Sequence, residues 1–165
     1  MKNALGMKGF FVVEHIRGGK TIAKEEIKNA ATNVGLNLML DAMFTGATAI
    51  SSWYMGLIDN ANYSAVANDD TMASHAGWQE SVAYSESARP AWGVGAAGSQ
   101  SVTNATAVDF TINASAVIKG IFVTSDSTKS ASTGTLWATS IFSSARTVNS
   151  GDVLKLTYTV TASRA

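Results

Sequence analysis

Two histidines, His15 and His75, are the only imidazoles in the chain, and there is no cysteine. Disulfides and thiolate metal sites are therefore excluded. The densest group of possible metal ligands is Asp69, Asp70 and His75, in the stretch ANDDTMASH. Adjacent carboxylates suit a hard cation such as calcium, but the spacing of an EF-hand loop is missing and no further ligand lies near in sequence. Asp69 or Asp70 reads better as the cap of a short helical turn, with Thr71 sharing the task. Neither a metal nor a cofactor is expected.

Nucleophilic catalysis would need a serine or threonine, a histidine and an acid. Serine is abundant enough to supply such trios by chance, and no G-x-S-x-G elbow is present. Glycosidase carboxylates can lie far apart in sequence, yet nothing marks Asp59, Glu80 or Glu86 as an acid or a nucleophile. The glycine-rich GVGAAGS lacks a lysine and a following helix, so it is not a phosphate loop. The reading is of a protein that is not an enzyme. Trp78, Tyr84 and Trp92 could form a sugar-stacking platform, but core and interface roles fit these residue types better. Together with Arg89 they are the candidate interface residues: Trp78, Tyr84, Arg89 and Trp92.

The elements that must position these residues are mostly strands. Residues 9–17 (GFFVVEHIR) alternate as a strand, Gly18-Gly19 supplies a hairpin turn, and a short partner follows at 20–24. Phe10, Val12 and Ile16 fall on one face, and Phe11, Val13, His15 and Arg17 on the other. One amphipathic helix is expected at about 33–44. Leu36, Met39, Leu40, Met43 and Phe44 recur at helical spacing, and this stripe reads as core packing. Thr32 or Asn33 can cap its start and Gly46 its end.

Residues 52–58 read as a buried strand, and 59–77 as a long surface excursion holding at most a helical turn. A further strand is expected at 78–84, before the glycine- and serine-rich loop that begins at Gly93. From residue 101 the pattern is plainly β, with strands at 102–112, 116–124, 135–142 and 153–162. In the last of these Leu154, Leu156, Tyr158 and Val160 face one way, and Lys155, Thr157, Thr159 and Thr161 the other. The fold class expected is mainly β: an antiparallel β-sandwich or jelly-roll-like domain carrying one amphipathic helix. Residues 1–165 read as a single domain, with 1–8 as a flexible N-terminal arm.

Charged residues make up only 15% of the chain, and Ser, Thr, Ala, Asn and Gly fill the gap. Hydroxyls and amides cost less to desolvate than ions, which favours a protein that is covered by others. The net charge is zero but unevenly spread. Residues 1–28 carry six cations and three anions, and 89–165 the same numbers, whereas 29–88 hold six acids with no lysine or arginine. That acidic middle could meet basic groups on a neighbour. No segment is basic enough to neutralise phosphates, so nucleic acid is not an expected partner. No apolar run approaches the roughly 20 residues of a membrane span, and no secretion signal is expected. Three sequons are accordingly read as chance.

Three stretches carry a resemblance: NVGLNLMLDAMFTG (33–46), WYMGLID (53–59) and DDTMASHAGWQESVAYSESARPAWGVGAA (69–97). Over roughly residues 10–160 the chain resembles a family of small virion proteins of tailed bacteriophages, often encoded close to the capsid genes. Its better understood members look like capsid cement or decoration proteins. The resemblance implies a mainly β fold, oligomers on the outside of the head, and no catalysis. It implies as partners the major capsid protein and further copies of the chain, as a dimer or trimer. The location implied is the capsid surface of the virion, with the host cytoplasm before assembly, and neither nucleic acid nor a membrane is engaged. The alternatives are a tail, neck or fibre-base component, and a carbohydrate-binding module built on Trp78, Tyr84 and Trp92.

Overall fold

The computed structural model describes residues 5–164. Strand β1 (Leu5–Arg17) turns into β2 (Lys20–Lys28) through Gly18 and Gly19, both with positive φ, +56° and +75°. A two-residue hairpin of this kind needs that backbone region at both positions, which glycine adopts without steric cost. The first four residues of the expected arm lie outside the described residues. The rest, 5–8, is not an arm: these residues pair in register with β10 (Val153–Arg164).

Two antiparallel sheets pack into a sandwich. The first has the order β2-β1-β10, and the other side of β10 is shared by β6 (Ser101–Thr103) and β7 (Val108–Thr111). The second runs β3 (Ala30–Ala31), β9 (Leu136–Val148), β8 (Ala116–Thr124), β4 (Tyr54–Asp59), β5 (Glu80–Ser81). Between them lies one large core that includes Phe11, Val13, Leu154, Leu156 and Tyr158 from the first sheet and Met55, Leu57, Ile121, Val123 and Phe142 from the second. The expected alternation of β10 is realised: Leu154, Leu156, Tyr158 and Val160 are buried, and their neighbours are half-buried.

The second sheet is covered on its outer side too. Ile58, Met72, Trp78, Phe122 and Leu136 form a smaller core there, beneath the excursion 60–77. This is why β4 and much of β8 are apolar on both faces. The excursion is a series of turns without a helix, and the strand expected at 78–84 is reduced to the two residues of β5.

The single strand expected at 102–112 is broken into β6 and β7 by Asn104. Its buried amide stands in for strand backbone: Oδ1 accepts from Tyr158 N at 2.8 Å, and Nδ2 donates to Leu156 O at 3.1 Å and Thr106 O at 2.8 Å. A short amide side chain thus satisfies the β10 groups that a continuous strand would have paired.

The helix forms where expected. Thr32 caps α1 (Asn33–Leu40) by accepting from Gly35 N at 3.1 Å. The last turn, Asp41–Thr45, widens into a π-helix, and Gly46 ends it in the left-handed region at φ 77°. The expected buried stripe holds only in part, however. Met39 packs against the main core and Leu36 is half-buried, but Leu40, Met43 and Phe44 are 48%, 69% and 73% exposed. The face turned to the sandwich joins Gly35, Leu38 and Ala42 to Met39. A β-carbon on Gly35 would lie 2.7 Å from Trp137 O, so the helix approaches β9 through its smallest residue.

Candidate docking site on the helix

None of the four candidate interface residues is available at the surface, which corrects that expectation. Trp78, Tyr84, Arg89 and Trp92 are all buried, so they form no exposed platform for sugars, and Trp92 contributes only to the lining of a groove beside the helix. Trp78 stands between the excursion and the sheet, tilted on Phe122 with ring centroids 5.1 Å apart. Tyr84 packs edge-on to Phe110 at 4.9 Å, and burial pushes its phenol pKa upward. Arg89 is paired with Glu80 inside the fold. Large aromatics and arginine anchor cores and interfaces alike, and sequence spacing does not separate the two uses.

Asp70 and His75 are also turned to structural use. Asp70 Oδ2 accepts from Trp78 Nε1 at 2.9 Å and from Ala67 N at 2.9 Å, which ties the turn 67–70 to the indole. His75 stacks on the same indole at 3.9 Å and bonds Trp78 O at 3.0 Å. Thr71 Oγ1 accepts from Ser74 N at 3.0 Å, and Asp69 is exposed. The cluster therefore caps turns rather than a helix. No group of three or more His, Asp or Glu side chains suited to a metal ion occurs among the described residues.

The second histidine belongs to a buried polar knot at the start of β10. His15 Nε2 lies 2.8 Å from Asp152 Oδ2, and Arg17 grips the same carboxylate through Nε at 2.8 Å and Nη2 at 2.7 Å. Asn149 N adds a fourth bond at 2.8 Å. The Arg17 bond holds the Asp152 carboxyl well below the usual carboxylate range, against the opposing effect of burial. Among the described residues neither histidine has a hydroxyl as hydrogen-bond partner.

An apolar groove beside α1 is a surface feature that sequence reasoning missed. Its volume is ≈ 230 Å³. One wall is the inner face of α1, through Leu38, Met39 and Ala42, and the other is the segment after the helix, through Ala49, Ile50 and Trp53. Trp92, Trp137 and Val160 line it further. Trp92 is held by its own backbone, which donates to Trp53 O at 2.7 Å, and by its ring against Tyr158 at 4.7 Å. Trp137 is fixed through Nε1, which donates to Tyr158 Oη at 2.8 Å, where Asn29 Nδ2 also donates at 2.9 Å.

Trp92 differs from Trp137 in one respect. Its Nε1 is shut off from solvent yet has no acceptor among the described residues. A buried unpaired donor costs about 1–3 kcal/mol. On the outer side of the same helix Leu40, Met43 and Phe44 continue the apolar surface away from the groove. The helix is thus apolar on two sides, with only Asn33, Asn37, Asp41 and Thr45 polar, a pattern that normally marks a helix covered on both. The signal was present in the sequence as a second stripe, Gly35, Leu38, Met39 and Ala42, at i, i+3, i+4 and i+7.

No protein-family model matches this chain, and no curated protein matches it at a significant level.

Proposed function

We propose that this β-sandwich is a structural virion protein of a tailed phage that binds the outside of the capsid lattice and stabilises the head as cement. One observation carries the protein-binding part of that reading: a single helix leaves Leu40, Met43 and Phe44 largely exposed while its other side frames an apolar groove. Apolar side chains grouped in this way mark interaction surfaces, whereas scattered ones do not. The segment NVGLNLMLDAMFTG, which helps carry the resemblance to phage virion proteins, is the same segment that builds this surface. The partners are the major capsid protein and, in an oligomer, further copies of the chain.

A protein that binds the mature shell and not its loosened form stabilises the shell by mass action, with the effect multiplied over many sites. The decisive measurement is its copy number in purified particles. Cement is present in hundreds of copies, a neck or fibre-base component in about a dozen or fewer, because each follows the symmetry of its attachment site. Particles lacking the protein should keep a complete shell but release DNA at a lower temperature. A low copy number together with an unchanged release temperature would move the protein to the neck or tail.

A further inference from the structure

We infer that the groove beside α1 takes a short apolar segment of the partner protein, presenting an aromatic or leucine-sized side chain with a lysine or arginine next to it. This rests on the protein-binding reading above and names what is bound. At ≈ 230 Å³ the groove exceeds the roughly 150 Å³ of an apolar cavity that stays dry and binds benzene, so one large side chain fits. The lining is almost wholly apolar, from Leu38, Met39, Ala42, Ile50 and Trp53, so the side chain that fills it is apolar too.

The same face of a second copy is a poorer occupant on two counts. Leu40, Met43 and Phe44 together expose on the order of 400 Å², about half of what one partner buries in a standard interface between folded proteins. Pairing the helix faces around a two-fold axis would also bring Asp41 towards its own copy. The helix itself contains no lysine or arginine to answer it. Like charges brought together disfavour a partner. Asp41 is the only charged side chain on the helix and is exposed, so the complementary neighbour is a cation. A segment laid in the groove can touch both the helix side, at Leu38, Met39 and Ala42, and the side of Ala49, Ile50 and Trp53, which a flat helix pair cannot do.

The test uses the full chain labelled with ¹⁵N and the peptide acetyl-Lys-Leu-Phe-Leu-amide, with acetyl-Glu-Leu-Phe-Leu-amide as its charge-reversed control. At millimolar peptide the indole N–H resonances of Trp92 and Trp53 should move, and the acidic peptide should bind about threefold or more weakly. Asp41→Lys leaves the groove lining intact and should reverse that preference. Ala42→Phe should fill the groove and abolish the shifts. If the Ala42 variant fails to fold, the Asp41 reversal decides alone. Unmoved indole resonances, or equal binding of both peptides before and after Asp41→Lys, would overturn the inference. So would dimerisation in sedimentation that is lost on Ala42→Phe, since a second copy would then hold the groove. Particle copy number keeps the two proposals separable. Peptide binding by a protein scarce in heads fails the cement assignment alone, whereas abundance in heads without any peptide shift fails the groove alone.

Discussion

Arg89 and Glu80 meet as two forks inside the fold, Nε to Oε1 at 3.0 Å and Nη2 to Oε2 at 2.8 Å, with both side chains sealed from solvent. The guanidinium also donates to Asp126 O at 2.9 Å and Ala131 O at 3.0 Å, while Ser130 N donates to Glu80 Oε2 at 2.7 Å. The pair therefore fastens the loop 125–135 to β5, an edge strand only two residues long. Arg89→Ala should cost about 3–5 kcal/mol in urea unfolding, because it strands a buried carboxylate. Arg89→Lys should recover little, since an ammonium cannot reproduce the planar fork. Replacing both partners, as Arg89→Met with Glu80→Leu, should cost far less than the single change. A small effect of Arg89→Ala would show that loop 125–135 opens to water without penalty.

Asp152 gives the stability a pH dependence of defined sign. Its carboxyl pKa is depressed by the Arg17 hydrogen bond, so the folded state favours the ionised form. The stabilisation is complete above the ordinary carboxylate pKa of about 4 and is lost as pH falls below it towards the depressed folded value. Asp152→Asn should lower stability by about 1.5–3 kcal/mol at neutral pH, the range for hydrogen bonds to a charged group. The melting-temperature gap between wild type and variant should stay constant down to about pH 4 and then close. A gap independent of pH down to pH 2 would show that ionisation of Asp152 is not what the knot stabilises.

How far these features were legible depended on whether their causes were local. The β1–β2 hairpin, β10 and the helix with its Thr32 and Gly46 caps were readable because alternation, turn glycines and caps act within a few residues. The sandwich followed from them. Which apolar stripe of the helix faces inward was not readable, because it depends on the approach of Gly35 to Trp137, about a hundred positions away in sequence. The burial of Trp78 likewise depends on the excursion folding over the second sheet, and the break at Asn104 on β10. The helix side of the groove has a signal in the second stripe, but Trp92, Trp137 and Val160 come from distant parts of the chain and share none with it.

Asp70 should behave as a structural acceptor rather than a ligand. Asp70→Ala leaves the Trp78 indole and the Ala67 amide without their acceptor, two donors in a partly sealed site. A loss of about 2 kcal/mol is expected in urea unfolding. EDTA should leave the wild-type melting temperature unchanged, since the side chains near Asp70 are already committed to the indole. A fall in melting temperature with EDTA, restored by calcium, would show that Asp69 and Asp70 hold an ion.

The exposed helix face makes the last prediction, a contrast between two apolar residues. Met55 is fully buried in the main core, so Met55→Ala should cost about 2–5 kcal/mol through lost transfer energy and the cavity left behind. Leu40 is 48% exposed at the end of α1, and Leu40→Asp places a charge where water can solvate it. The cost is confined to a poorer helix former and an anion near the helix C-terminus, about 1 kcal/mol together. The two variants should therefore separate clearly in urea unfolding of the isolated protein. If the chain is the head cement proposed above, the ranking should reverse in binding, where Leu40→Asp puts a charge into the apolar face and should weaken attachment to particles stripped of the protein. Met55→Ala should leave attachment intact at temperatures where the variant is still folded. If Leu40→Asp instead destabilised the isolated protein as much as Met55→Ala, the outer face of the helix would be covered before any partner arrives.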